Sequence, residues 1–362
     1  MPPHRIARDP WLDNAKMALV TLVVVGHACA LLPADGLVGH FYDFLYAWHM
    51  PAFVFVSGYL SRTFEYSPER LWQLVRTVAV PYVVFECLMA LFRIHVGGEQ
   101  LEDLFTDPHW PLWFLTALIC WRLSTPVFRA PPAVIGLAVA VGLCLWSGTV
   151  DGETAEMFDL TRMIGLLPFF VLGVHTTPDR LERLRGPGAR WIAAATLGAV
   201  WLLAARTDDL AGTHWLYYAT PYDELGSSDA RGVVTRLALL GIGAAGAFAF
   251  LALVPRVHGW FTRMGAATLV VYLCHGFVVR GLEYGGYVEW AAAHPLVAPP
   301  VTLVGAALLA LALAAPPVSR RLELLVDPFG KAERQVQQAV ELSVVAQQPG
   351  NLPAMRTQEP IR

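Results

Sequence analysis

Apolar runs of 17 residues or more recur along most of this chain, and that recurrence limits its fold more than any other feature. Lipid offers no partner to a backbone N–H or C=O, so such runs must be helices or strands of a closed barrel. These runs are too long and too continuously apolar for barrel strands, which alternate over about 10 residues. The chain therefore reads as an all-α integral membrane protein. Ten spans are predicted, at 14–32, 43–61, 72–95, 111–127, 132–149, 161–177, 189–206, 232–254, 264–282 and 297–316. Pro51, Pro81 and Pro168 fall inside spans, which membrane helices tolerate. Composition agrees: 15% of residues are charged, against about 25% in ordinary soluble domains.

The connecting loops alternate in basic content. With the N-terminus in the cytoplasm, 20 of the 26 Lys and Arg residues fall on inward segments, and the outward loops are acidic, as at Glu99, Glu102, Asp103, Asp151 and Glu153. The positive-inside rule then places both termini in the cytoplasm and asks for an even number of spans in the inner or plasma membrane, surrounded by lipid. Residues 1–320 form the transmembrane domain, and 321–362 drift into Gln, Pro and charge as a mostly disordered cytoplasmic tail. The N-terminus has no removable signal sequence, so the first span directs insertion. The five cysteines lie in apolar segments without CxxC spacing, which suits packed thiols better than a disulfide framework or a zinc site. No glycine-rich phosphate loop or internal repeat is present, and nothing asks for nucleic acid or a metal. Oligomeric state is not written in the chain.

Chemistry is concentrated in the first two spans. Lys16 and His27 are eleven residues apart, about three helical turns or 16 Å, so they share a face of an otherwise apolar helix. An ammonium and an imidazole are costly in lipid and mark an interior site. His49 and His275 fall at a comparable depth in the outer half of the bilayer. A lone membrane histidine is most often a structural hydrogen-bonding group; three at one level beside buried cations favour function. Imidazole suits a general base because its ordinary pKa, about 6.5, is near operating pH. At the inner end, Lys16 and Arg76 could hold the phosphates of an anionic cofactor or snorkel to headgroups. Snorkelling is assigned to Arg70 and Arg122. Arg162, on the opposite side, is a candidate for orienting substrate. The aromatic loop at 207–230 fits either a sugar-lining surface or an interfacial belt, belts being the commoner role.

Several short pieces carry a family resemblance: Leu12-Asp13-Asn14-Ala15-Lys16 leading to Gly26-His27; His49-Met50-Pro51 with Ser57-Gly58-Tyr59; Arg76 before Pro81-Tyr82; Leu112-Trp113-Phe114-Leu115; Leu167-Pro168-Phe169-Phe170 with Gly173; and Tyr272 with His275. Together, in this order, they resemble the acyltransferase 3 family of membrane acyltransferases, particularly its fucose 4-O-acetylase-like branch, over about residues 9–317. Lys16 stands where the family usually has arginine, as this branch often allows. An arginine pair usual at the third span is missing, with Arg76 the nearest substitute. The resemblance implies O-acylation, most often O-acetylation, of a carbohydrate or a glycosylated or lipid-linked hydroxyl acceptor, with acetyl-CoA or another acyl-CoA as cytoplasmic donor. It implies that His27, with Lys16, His49 and His275, forms the catalytic group. Lys16 and Arg76 would hold the donor, while Tyr59, Trp113, Arg162 and Tyr272 line the substrate path. His27 would either deprotonate the acceptor or carry the acyl group transiently. The rival class is a secondary transporter, which also buries ionisable residues; the missing repeat between halves argues against it.

Overall fold

In a computed structural model of the protein, which describes residues 9–101, 108–150, 159–184, 186 and 188–330, every regular element is a helix. The first, α1 (Pro10–Cys29), begins where Asp9 Oδ1 accepts the Trp11 amide at 3.0 Å and Pro10 takes the position whose N–H would be unpaired anyway. Next come α2 (Gly36–Tyr46), α3 (His49–Ser61) and α4 (Pro68–Leu74), the last joined through a π-helical turn (Val75–Ala79) to α5 (Val80–His95). The middle of the chain forms α6 (Trp113–Arg129), α7 (Ala133–Ser147), α8 (Leu160–Val174), α9 (Pro178–Arg183) and α10 (Ala189–Ala204). After α11 (Thr207–Leu210) and a 3-10 turn (Thr213–Tyr217) follow α12 (Asp229–Leu253), α13 (Trp260–Met264), α14 (Thr268–Tyr284), α15 (Tyr287–Ala293), α16 (Ala298–Ala314) and α17 (Pro316–Val326).

A helix lies within each predicted segment, but fewer are full crossings by length. Among the described residues three helices are long and apolar enough to cross a membrane: Pro10–Cys29, Pro68–His95 and Asp229–Leu253. A fourth is added if α16 and the start of α17, bent by 64°, count as one span. The remaining helices of the predicted spans run 11–17 residues, about 16–26 Å against a hydrocarbon core of about 30 Å.

Two departures from the predicted spans trace to proline. The second span is broken into α2 and α3 by a turn at Ala47–Trp48. An unbroken helix would need the amide that Pro51 lacks and would drive its ring into the Ala47 carbonyl, so the helix restarts at His49 with Pro51 in its first turn. In the third span Pro81 raises the same conflict with Thr77. Here the chain widens into the π turn, with the Val80 amide bonding Val75, and continues.

α1 is buried on nearly all sides, as its uniformly apolar sequence requires. Its start is fixed by polar contacts: Trp11 Nε1 donates to Leu251 O, Asn14 Nδ2 donates to Pro255 O at 2.8 Å, and Thr262 Oγ1 donates to Asn14 Oδ1 at 2.8 Å. Of the Leu12-Asp13-Asn14 piece, Asn14 thus clasps the turn after α12. At the other end of the chain, α17 carries the helical structure past residue 321, and Asp327 pairs with Arg76 at 3.6 Å. Residues 331–362 of the predicted tail, the acidic Glu102, Asp103, Asp151 and Glu153, and Arg5, Arg8 and Arg185 lie outside the described residues.

Candidate active site

α1, α3 and α6 line two cavities at successive heights, completed by α14 and the π turn in the lower one and by α2, α8 and the 3-10 turn in the upper one. α1 and α14 run from Lys16 and Thr268 toward His27 and His275, while α3 and α6 run the opposite way, from His49 and Trp113 toward Ser57 and Arg122. The antiparallel order brings residues far apart in sequence to one level. The lower cavity, about 240 Å³, has Lys16, Arg122, Ser57 and Thr77 among apolar walls. The upper one, about 230 Å³, is lined by His27, His49, Arg162, Trp110, Trp113 and the tyrosines Tyr42, Tyr46 and Tyr217.

The histidine protons can be assigned from their partners. His275 Nδ1 lies 3.1 Å from the Val271 carbonyl, which only accepts, so this nitrogen carries the hydrogen. In the neutral ring Nε2 is then an acceptor, and it lies 2.8 Å from His27 Nδ1, which must donate. His27 is left with an unprotonated Nε2. By the same reasoning His49 Nδ1 donates to Leu45 O at 2.7 Å, in the last turn of α2, leaving its Nε2 as acceptor. His27 and His49 border the upper cavity, whereas the fully buried His275 stands behind His27. The His49 and His275 rings thus each bond the carbonyl four residues before them, across the break before Pro51 for His49 and within α14 for His275.

Trp110 covers another side of His27, ring centroids 4.3 Å apart. Its loop is anchored by a buried carboxylate, Glu86 on α5, whose two oxygens accept the His109 amide at 3.1 and 3.2 Å. The Tyr272 hydroxyl donates to the next carbonyl along, Pro111 O, and the Arg280 guanidinium sits over the Trp110 ring. The His109 side chain in this loop is pushed down to about 3, first by burial and then by the Arg93 and Arg280 guanidiniums, with Glu99 acting the other way. Because its folded value lies below the unfolded one of about 6.5, stability is complete above that pH and declines as pH falls toward 3. Thermal unfolding in detergent from pH 7.5 to 5 is expected to show His109→Gln with a shallower loss than wild type; parallel curves would remove His109 from the account.

Each residue singled out in the sequence has a definite place. Lys16 lines the lower cavity and pairs with Asp13 at 2.7 Å. Arg76 stands outside that cavity against Asp327, although its neighbours Thr77 and Val78 line the wall. Trp113 and Arg162 line the upper cavity, with the guanidinium 5.0 Å from the Trp113 ring centre and 3.3 Å from Asp159. Tyr272 lines the lower one. Tyr59 belongs to neither; it is buried beneath the Arg62 guanidinium.

Other residues were missed. Arg122 lines the lower cavity and does not simply snorkel. Tyr42, Tyr46 and Trp110 gave no sequence signal beyond being aromatic, whereas Glu86, a lone carboxylate amid an apolar run, was one. The aromatic loop is not a belt: Trp215, Tyr218 and Tyr222 are buried, and Tyr217 reaches the upper cavity, its hydroxyl 2.9 Å from that of Tyr42.

Comparison with known proteins gives a consistent picture. An acyltransferase-domain family profile matches residues 9–317. Nodulation protein NolL of Mesorhizobium japonicum is 30% identical over 123 residues, covering 30% of this chain and 33% of that protein. The match thus spans about a third of the curated relative's length. No solved structure matches the chain.

Proposed function

The chain belongs to the acyltransferase 3 family and is an acyltransferase, and on that premise we propose that it moves an acyl group, acetyl in the simplest case, from acyl-CoA to a hydroxyl of a carbohydrate or a glycosylated or lipid-linked acceptor. The observation that carries the proposal is the proton order of the histidine pair. With Nδ1 of His27 committed to His275, its Nε2 is an acceptor on the wall of a cavity walled by tyrosine and tryptophan. That is the arrangement a general base needs, with a second group fixing the tautomer of the first.

In direct transfer, the acceptor O–H gives its proton to His27 Nε2 as the oxygen attacks the thioester carbonyl. The C–S bond breaks, and the departing thiolate takes the proton back from the imidazolium. His49 Nε2, on the same cavity, accepts a hydrogen bond from a neighbouring hydroxyl of the acceptor in this reading. Arg162, whose guanidinium lies over Trp113, orients the acceptor or stabilises negative charge on the attacked carbonyl in this reading. Lys16 and Arg122 on the lower cavity supply the cationic side for the donor's phosphates, and they lie on the basic, cytoplasmic side given by the loop charges. The same charge alternation supports ten helical segments with both termini in the cytoplasm of an inner or plasma membrane. Lysine at position 16 supports the fucose 4-O-acetylase-like branch.

The defining experiment is a mass comparison of glycans and metabolites from cells carrying the intact chain or His27→Ala. Loss of an acyl-sized increment from one hydroxylated species is expected, and identical profiles would sink the proposal. A second test concerns the donor. Arg122→Ala and Lys16→Ala are each expected to raise the apparent KM for acetyl-CoA about 10-fold or more, the scale of one lost charged hydrogen bond. An unchanged KM in both would move the donor elsewhere.

A further inference from the structure

The two cavities are separated by side chains, and those side chains come from three of the helices that line the lower one. Phe53 on α3, Phe114 on α6 and Tyr272 on α14 form a row of rings, with centroids 5.0 Å apart for Phe53–Phe114 and 5.9 Å for Phe114–Tyr272. All three line the lower cavity from above. The sequence neighbour of Phe114, Trp113, lines the upper one, and the ring of Tyr272 is 6.1 Å from that of His275. The row therefore lies one ring below the histidine pair. Tyr272 is tied by its hydroxyl to Pro111 O, whereas Phe53 and Phe114 are held by ring packing alone.

We infer that Phe114, wedged between Phe53 and Tyr272, is the residue that fixes the length of the transferred acyl chain. The inference rests on the donor lying in the lower cavity and the acceptor in the upper one, as proposed above. For the thioester carbonyl to reach an acceptor oxygen beside His27 Nε2, the acyl end of the donor must pass this row. The thioester carbon is trigonal, so with the sulfur in the gap and the carbonyl at the histidine level the alkyl tail turns aside from the pantetheine arm and lies along the upper side of the row, against the Phe114 ring. Bond making and breaking are those of the direct transfer already described, so the row adds no chemical step. It sets only how much hydrocarbon can accompany the carbonyl. A small tilt of Phe114 suffices for a methyl group, while each further methylene must displace a packed ring. One methylene in a filled apolar pocket changes selectivity by about 10-fold or more.

The test uses the full chain in membrane vesicles from cells that make its native acceptor, supplied with radiolabelled acetyl-CoA or butyryl-CoA. Wild type is expected to label the acceptor from acetyl-CoA and poorly from butyryl-CoA. Phe114→Ala is expected to raise the butyryl-to-acetyl ratio by 10-fold or more. Phe53→Ala, which opens the same row from its half-buried side, is expected to shift the ratio in the same direction and decides the matter if Phe114→Ala does not accumulate. No label from either donor in wild type would overturn the acyl-CoA reading itself. Labelling by wild type with an unchanged ratio in the variants would overturn the role of Phe114 and leave that reading standing.

Discussion

His27→Ala is expected to lower acyl transfer by about 10²–10⁴-fold, the usual contribution of a positioned general base, while the protein inserts and purifies as wild type does. The ring is buried and packed between His275 and Trp110, so part of any loss could come from the hole it leaves. His27→Gln separates the two effects: an amide fills most of the space and can still donate toward His275, but it cannot accept and return a proton at neutral pH. Activity as low in His27→Gln as in His27→Ala assigns the loss to proton transfer. His275 has a different role. It lies behind His27 and does not border the cavity, so it sets which nitrogen of His27 carries hydrogen. His275→Ala is therefore expected to cost less than His27→Ala. The double variant should be no worse than His27→Ala alone, since removing the orienting group is harmless once the oriented one is gone. Additive losses would mean that His275 acts on its own, and full activity in His27→Ala would end the base assignment.

What the sequence made legible is what one-dimensional spacing can carry. Helix positions follow from apolar runs because lipid and a packed bundle ask the same thing of a backbone. The common depth of His27, His49 and His275 follows from counting residues inward from charged ends. Lateral placement does not follow from counting. Lys16 and Arg76 are equally basic and equally near one end, yet one lines a cavity and the other faces Asp327, just past α17 in the stretch that reads as tail. Arg122 was indistinguishable from a snorkelling arginine because nothing in the sequence of α6 says which of its faces lines the cavity. The break before His49 was legible only as one of two outcomes: Pro51 disfavours an unbroken helix through Ala47, but membrane spans so often absorb proline, as α6 does Pro126 and α8 does Pro168, that the break was not expected. The short motif pieces mixed two kinds of residue. His27 and Lys16 meet cavities, whereas Asn14 clasps a turn and Gly58 lets two helices touch.

That last contact leads to the second large effect. Gly58→Ala and Gly173→Ala are each expected to destabilise the protein by several kcal/mol, at or beyond the upper end of the 1–3 kcal/mol typical of overpacking. Alanine is the better helix former by about 1 kcal/mol, so an isolated helix would shift the other way. Here α3 and α8, which share the most extensive interhelical contact in the fold, are in backbone contact. A Cβ on Gly58 would collide with the Phe170 carbonyl, 2.8 Å from its carbon, and a Cβ on Gly173 would collide with the Phe55 carbonyl and lie 2.7 Å from the Tyr59 amide nitrogen. Neither obstacle is the movable end of a side chain, so relief requires the helices to separate. Separation reaches the site directly, because α3 carries His49 and α8 carries Arg162, two walls of the upper cavity. Both variants should thus lose thermal stability in detergent and transfer activity together. Gly198→Ala on α10 is the control, since a Cβ there meets nothing within 4 Å and helix propensity alone should act. If Gly58→Ala and Gly198→Ala move the unfolding midpoint in the same direction, the backbone contact does not hold α3 and α8 in place. The position of His49 opposite Arg162 would then need another cause.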